Sequence, residues 1–566
     1  MRLLLFSLFL SFNLYSTVYV RYNEVGYVPK AEKKLVLMSD SALEGKQWFL
    51  KNAHDSTVMK GVFGVSACDT GAYMPMKFNY KVDFSAIAKE GNYTFVLGAV
   101  SKKIEIKKDA YVSYIPEIVR YFRVQRSGSE EALDHAVSHL RDSACVVYER
   151  VNNANNQWQK RKAGKIMVDM KGGWYDAGDY LKVTLTTAYA TYQILRAYES
   201  NPALFAKIYS KSKLPDILDE AKHGLDYLMK VMPDSSTFII QVANQIDHRV
   251  GDRLPEDDML DGARGAYSCL SQTQMGYTAA ALALGADVFT KYGELELANK
   301  YKEMAEKVYA AARKSSQSPA WYEFENEHFY DDKSKHDNMA LAATELYKLT
   351  KGKNYLKELK EYAAVVGSGG WFAWGNDHAM ANLRMNEVAQ TSLTPVVSDL
   401  KIFTYESRKT NNLWEVPHQF TWGSLYSFLG VANASLLYTK QSKDSTYLRN
   451  SYNVVDYLFG KNNWGVSFVA SKNLPNTVHN VYSQIYRLQP KLFPSGAVSE
   501  GPGDMKSHLE VKQYYKYSSE NHPSNKFNTS AIVFYDENTN FQCMETTIVG
   551  LSDALLFLTL YSAYVK

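Results

Sequence analysis

The periodicity of the chain changes near Ala110, and no other feature constrains the fold as much. From Val18 to about Ile106, short runs such as VYVRYNEVGY, KKLVLMS, GNYTFVLG and KKIEIKK alternate apolar and polar residues. Gly, Asn, Asp and Pro punctuate them at short intervals, which predicts a small all-β sandwich. From YVSYIPEIVRYFRVQ onward, apolar residues instead recur at helical spacing. Further helices are predicted near Thr186 to Glu199, Leu214 to Met232, Gln274 to Tyr292, Glu294 to Arg313 and Asn338 to Leu349. Others follow at Tyr355 to Val366, Trp422 to Tyr438, Tyr447 to Phe459 and Thr546 to Tyr564. Many are rich in Ala, Leu and Tyr, so they can pack closely. Roughly a dozen helices with long loops between them suggest hairpins closed into a ring, and an open solenoid fits the count equally well. The fold class is therefore mainly α, with a β domain at 18–108 ahead of a helical domain at 109–566.

The first residues, MRLLLFSLFLSFNLYS, place one Arg before an apolar run that is too short to span a membrane. They fit a signal peptide over 1–17, cleaved near Ser16 or Thr17, and so a secreted or periplasmic protein. No later segment reaches the roughly 20 apolar residues a spanning helix needs. The four cysteines (Cys68, Cys145, Cys269, Cys543) form no CxxC pair and imply no metal; free thiols and one disulfide both remain open. A net charge of +4, spread along 566 residues, carries no nucleic-acid signature. With 42 Tyr, the chain is well supplied with rings for stacking on sugars.

The chemistry concentrates in GGWYDAGDY, Gly172 to Tyr180. Two glycines permit a tight turn or a close approach to a ligand. Trp174 and Tyr175 offer flat apolar faces with polar edges. Asp176 and Asp179 stand three residues apart just ahead of a helix, where their side chains can point the same way. Two carboxylates beside aromatic rings suit the holding and deprotonation of a water next to a sugar. An N-cap Asp followed by a turn Asp is the plainer reading of the same residues. At the far end, Met544-Glu545 opens a strongly apolar helix. A Glu in that position favours the helix dipole, and partial burial would also keep it protonated as a general acid.

Several blocks, in order, resemble glycoside hydrolase family nine, the family of many cellulases. VRYNEVGYVPKAEKKLVL is similar to the immunoglobulin-like domain that precedes the catalytic domain in one branch of it. VQRSG, GGWYDAGDY, ANQIDHRVGDRLPED, WGSL, FGKNNWGVSFV, SEGPGD and YDENTNFQCMETTIVGLSDALLFL resemble the blocks that follow. The resemblance covers nearly the whole chain after the leader. It implies a six-fold α/α toroid with an open cleft and an inverting mechanism that uses no cofactor. Asp179 would be the catalytic base, Asp176 would orient the water and Glu545 would be the acid. His248 and His479 match sugar-contacting histidines. Trp174, Tyr175, Trp371 and Trp422, together with Trp374 and Trp464, become candidate sugar platforms.

The chain also departs from the family pattern. The acid motif normally reads Asn-Glu and here is Met544-Glu545. A calcium site in several relatives uses an Asp-Glu pair that matches Asp337-Asn338, and the loss of one carboxylate weakens a hard-cation site. The zinc site of some relatives needs a Cys where this chain has Ser127; His135, His139 and Cys145 nearby read as structural. The function implied is a secreted β-1,4-glucan hydrolase of endoglucanase type, acting on a β-glucan polysaccharide or oligosaccharide. An exo-acting β-glucosidase or glucosaminidase of the same family is the alternative within that class. A non-catalytic glycan-binding protein lies outside it. A polysaccharide lyase on the same scaffold would want a Tyr or His base, which the paired Asp turn does not suit.

Overall fold

The computed structural model describes residues 17–565 except 68–70, 151–157, 161–166, 250–252, 259–263, 318–321, 324–329, 331–333, 371, 375, 410–412, 418–419 and 515–520. Seven strands open the chain: β1 (Val18–Arg21), β2 (Lys34–Ser39), β3 (Gln47–Asn52), β4 (Thr57–Val62), β5 (Phe78–Asp83), β6 (Gly91–Leu97) and β7 (Val100–Ile106). They form two antiparallel sheets, β1-β2-β5 and β4-β3-β6-β7. Leu35, Leu37, Leu50, Phe95 and Ile104 close the core between them.

Strand β2 is buried on both faces because it serves two cores. Leu35 and Leu37 point into the sandwich, whereas Val36 and Met38, one residue out of phase, pack into the core of the helical domain. Polar ties follow the same seam. Arg21 Nε donates to Asn463 O at 2.9 Å, and Asn23 Nδ2 donates to Asp456 at 3.0 Å. The sandwich is thus clamped to the helices by its own second face.

Twelve helices of eleven or more residues follow among the described residues. These are α1 (Tyr114–Val124), α2 (Thr184–Ser200), α3 (Asp216–Leu228), α4 (Gln272–Tyr292), α5 (Leu295–Ala312) and α6 (His336–Thr350). The second half is α7 (Lys353–Ala363), α8 (His378–Ala389), α9 (Thr394–Lys409), α10 (Ser424–Ser442), α11 (Leu448–Leu458) and α12 (Ile548–Tyr564). The even-numbered helices pack in sequence, α2 on α4, α4 on α6, α6 on α8, α8 on α10 and α10 on α12, and α12 returns to α2. The odd-numbered helices lie outside them. The ring is closed, a six-fold α/α toroid, and the open-solenoid alternative falls.

Burial separates the two rings. Inner helix α12 (IVGLSDALLFLTLYSAY) is buried along nearly its full length and apolar all round, as a helix enclosed on every side must be. Outer helix α7 buries only Leu359 and keeps a charged face. Two helices, α8 and α9, were not anticipated from periodicity. Inner helix α8 buries Asn382 and Arg384 alongside Met380, Leu383 and Met385, so it shows no clean apolar stripe. The Arg384 guanidinium is balanced there by Glu345 at 2.5 Å and Glu199 at 3.1 Å. At the C-terminus, α12 starts at Ile548 with Thr547 as its N-cap. Glu545 therefore does not open that helix; it sits extended between it and a short helix, Phe541–Met544.

Candidate active site

The turn Gly172 to Tyr180 enters the rim of the toroid just before α2. Gly172 and Gly173 have φ of +95° and +74°, the left-handed region in which a side chain is strained. The VQRSG segment straps the turn: Ser127 N–H donates to Gly173 O at 2.8 Å, and Tyr175 N–H to Gln125 O at 2.8 Å. Gly178 is required for another reason. A Cβ there would lie 2.3 Å from the carbonyl oxygen of Tyr482, so only glycine allows the two loops to touch.

That contact brings the two ends of the chain together. Gly178 N–H donates to Glu545 Oε1 at 3.2 Å, although the residues are 367 positions apart. Tyr482 N–H holds the next peptide, donating to Met544 O at 2.8 Å. Asp176, Asp179, His248 and Glu545 line one cavity of about 280 Å³, walled by Tyr330, Trp374, Trp422, Tyr482 and Phe541. Trp374, held at φ +60°, stacks on Tyr330 with ring centres 6.0 Å apart.

Each carboxyl has a distinct environment. Asp179 Oδ2 meets His248 Nδ1 at 2.6 Å, and its Oδ1 accepts from Leu181 N–H at 3.0 Å. The hydrogen bond to Asp179 pushes the His248 imidazole up to about 9, against the opposing pull of burial. At neutral pH that histidine is a cation paired with Asp179. Asp176 is buried and accepts from Thr186 Oγ1 and Tyr330 OH on its two oxygens. Burial, augmented by the charge of Asp179, raises it to about 7 even so. Glu545 is pushed up to about 8, first by burial and then by Asp179. One carboxylate matched with a cation and another kept protonated is the pairing that acid–base chemistry on one bond requires.

The remaining candidates distribute differently. Trp422 lines the cavity. Trp371 lies outside the described residues. Trp174 and Tyr175 are corrections: both are fully buried, turned away from the cavity into the protein. The Trp174 indole donates to Glu220 at 3.2 Å and packs edge-on to Phe122. The Tyr175 hydroxyl sits between Ser138 Oγ at 2.5 Å and His139 Nδ1 at 2.7 Å. The aromatic pair faces the core while the two aspartates that follow it face the cavity. His479 is exposed; its ring packs edge-on to Phe493, its backbone N–H donates to Asp536, and it is not among the residues lining this cavity. Trp464 is buried, with its indole on Asn528 at 2.9 Å. Two residues that the sequence did not single out, Tyr330 and Glu500, do line the cavity.

Neither metal suggested by the resemblance fits the residues present. Around Asp337 and Asn338, His378 Nδ1 approaches one Asp337 oxygen at 3.1 Å and the Asn338 amide donates to Thr273 O. One carboxylate and one amide from this pair match poorly the carboxylate-rich set of six to eight oxygens that calcium takes. At Ser127, the zinc position, Ser138, His139 and Tyr175 are joined by direct hydrogen bonds. His139, Asp247 and Asp258 offer ligand atoms within 4.8 Å of one another. Arg264 and Arg253 already pair with Asp247, and Arg264 approaches Asp258, so cationic side chains supply the charge a metal would bring.

A closed α/α toroid behind a β-sandwich, with opposed carboxyls in a ring-walled cavity, defines a glycoside hydrolase. The chain belongs to glycosyl hydrolase family 9, whose model matches residues 111–556, and the cellulase N-terminal Ig-like domain matches residues 16–102. It is 26% identical over 539 residues to endoglucanase C of Cellulomonas fimi, covering 85% of this chain and 47% of that one. It is 24% identical to a xyloglucan-specific endo-β-1,4-glucanase of Bacteroides ovatus, covering 81% of each. Among solved structures, a thermostable endoglucanase from Alicyclobacillus acidocaldarius superposes with a TM-score of 0.75 at 20% identity, covering 97% of this chain and 99% of that one. No helix among the described residues is long and apolar enough to cross a membrane.

Proposed function

We propose that the chain is an inverting endo-β-1,4-glucanase in which Asp179 is the base, Asp176 positions the water and Glu545 is the acid. In one step, Asp179 takes a proton from water, the water oxygen bonds to the anomeric carbon, and the glycosidic C–O bond breaks. The leaving oxygen takes the proton of Glu545. The protonated His248 donates to Asp179 Oδ2 and so orients that carboxyl in the cavity. The observation that carries this reading is the hydrogen bond from Gly178 to Glu545, which brings the Glu545 carboxyl to the cavity that Asp176 and Asp179 also line. Inversion needs acid and base about 6.5–9.5 Å apart, with one water between them. The relatives' names, an endoglucanase and a xyloglucan-specific endo-β-1,4-glucanase, support a β-1,4-glucan substrate. The leader-like first residues support export from the cytoplasm.

The test follows cellotetraose and mixed-linkage β-glucan by NMR with the parent protein. The first product carries the α-anomer, and viscosity drops sharply while few reducing ends have appeared. A β-anomer sinks inversion, and reducing ends without viscosity loss replace endo with exo action. Binding without hydrolysis turns the protein into a glycan-binding module.

A further inference from the structure

Glu500 lines the same cavity and has no part in the steps above. It is 1% exposed, and its backbone belongs to the rim that carries the acid. Its N–H donates to the Glu545 carbonyl at 3.1 Å, and its own carbonyl accepts from Leu425 N–H at 3.1 Å. The Glu500 backbone is therefore tied directly to that of Glu545. Gly423, at φ +61°, makes room for it: a Cβ there would come within 2.9 Å of Glu500 Oε2. Trp422 hydrogen-bonds the carboxyl, and Oε2 has no partner inside the protein.

An ionised carboxylate does not suit this place. Among the described lining residues His248 is the one basic side chain, and it already holds Asp179. A buried charge without a counter-ion is strongly disfavoured, and Glu545 adds repulsion. Burial first, and then Glu545, raise the Glu500 carboxyl well above the usual range. The neutral acid has an O–H donor as well as acceptor lone pairs. A carboxylic acid held neutral by its surroundings is an effective donor to a bound ligand. Oε2 has no partner among the described residues and Glu500 lines the cavity, so the partner of that donor comes from whatever fills it.

We infer that Glu500 is a substrate-binding residue that works as a neutral carboxylic acid and donates a hydrogen bond to a sugar oxygen on the Glu545 side of the cavity. The inference rests on the hydrolase reading of the site. It also sets specificity. A neutral glucan presents hydroxyl and ether lone pairs, whereas the ammonium of a 2-amino sugar has none and would require Glu500 to ionise.

The decisive comparison is Glu500→Gln with Glu500→Leu, assayed on cellotetraose from pH 5 to 9 alongside thermal melting. The amide keeps a neutral N–H donor in nearly the same place, so E500Q stays within about threefold of the parent in kcat/KM and overlays its pH profile. E500L removes the donor and lowers kcat/KM by about 30-fold or more. The inference is overturned if E500Q falls as far as E500L, if its pH limbs move, or if E500L keeps full activity. It is also overturned if the parent cleaves an amino-glucan oligomer faster than cellotetraose. Should E500L fail to fold, E500Q and its pH profile decide alone. Should the parent prove inert on both substrates, the hydrolase reading fails separately, and calorimetry with cellotetraose decides the role of Glu500. Equal affinity in parent and E500Q supports it, and lost or absent binding overturns it.

Discussion

The two halves of GGWYDAGDY do opposite work. Trp174 and Tyr175 are sealed in the core, joined to Glu220 and to the Ser138–His139 pair. Asp176 and Asp179, one and four residues further on, line the cavity with His248 and Glu545. A single turn therefore anchors itself with its aromatic half and presents its acidic half. The sandwich and the toroid repeat the lesson on a larger scale: β2 spends one face on its own core and the other on the helices. In both cases one short stretch of backbone is divided between two surroundings. If the division is real, substitutions in the two halves should separate cleanly into lost rate and lost stability.

The largest separation is expected between Asp179→Ala and Trp174→Ala. Removing the proposed base should lower kcat/KM on cellotetraose by about 10²–10⁴-fold, with little change in melting temperature. Trp174→Ala leaves a void beside Phe122 and strips Glu220 of its indole donor, so about 3–5 kcal/mol of stability should be lost. Chemical denaturation and steady-state kinetics on the two variants read both quantities. Equal loss of rate in the two, with both still folded, would erase the distinction between the halves.

The next effect is in pH. As the proposed acid, Glu545 must hold its proton to act, and its pKa is pushed up to about 8. The kcat/KM profile should therefore fall above pH 8, approaching about tenfold per unit. The same shift bears on stability, with a definite sign. A carboxyl whose folded pKa lies above its unfolded value contributes stability that is complete below the unfolded pKa. That contribution is lost as pH rises through the folded one. Glu545→Gln should accordingly lose less stability than the parent between pH 5 and pH 9, while losing its hydrolytic rate at every pH. A Glu545→Gln variant whose stability tracks the parent across that range would show that the carboxyl is not held protonated.

Much of this was legible in the sequence, for reasons that can be named. The change of period at Ala110 marked the sandwich and the helices, because burial of one face imposes period two on strands and 3.6 on helices. It could not close the ring, since a solenoid and a toroid impose the same pattern on each hairpin. Nor did it find α8, whose buried Arg384 and Asn382 are matched only by partners distant in sequence, such as Glu345 and Glu199. The aspartates and Glu545 stood out as carboxyls in recognisable blocks. The direction of Trp174 and Tyr175 did not, because it depends on the left-handed angles of Gly172 and Gly173. Tyr330 is one of 42 tyrosines, with nothing local to mark it as the donor to Asp176. Glu500 lies in the SEGPGD block, but its direction is not legible there, because the contacts that draw it in come from Gly423 and Leu425.

The smallest and most discriminating effect is that of Tyr175→Phe. The ring remains, so its packing against Tyr180, with centres 4.9 Å apart, survives. Only the hydroxyl leaves, and with it the bridge between Ser138 Oγ and His139 Nδ1. His139 is buried, and desolvation pushes its imidazole far below the usual histidine range, so it cannot recover the loss by taking up a proton. Leaving a buried hydrogen-bonding group unmatched costs about 1–3 kcal/mol, and a loss in that range is expected. The kcat/KM for cellotetraose should stay within about twofold, because no atom of Tyr175 reaches the cavity and the Tyr175 carbonyl that Gln125 holds is untouched. A stable Tyr175→Phe protein with a large drop in kcat/KM would return Tyr175 to the substrate. It would also show that the aromatic half of the turn does more than anchor.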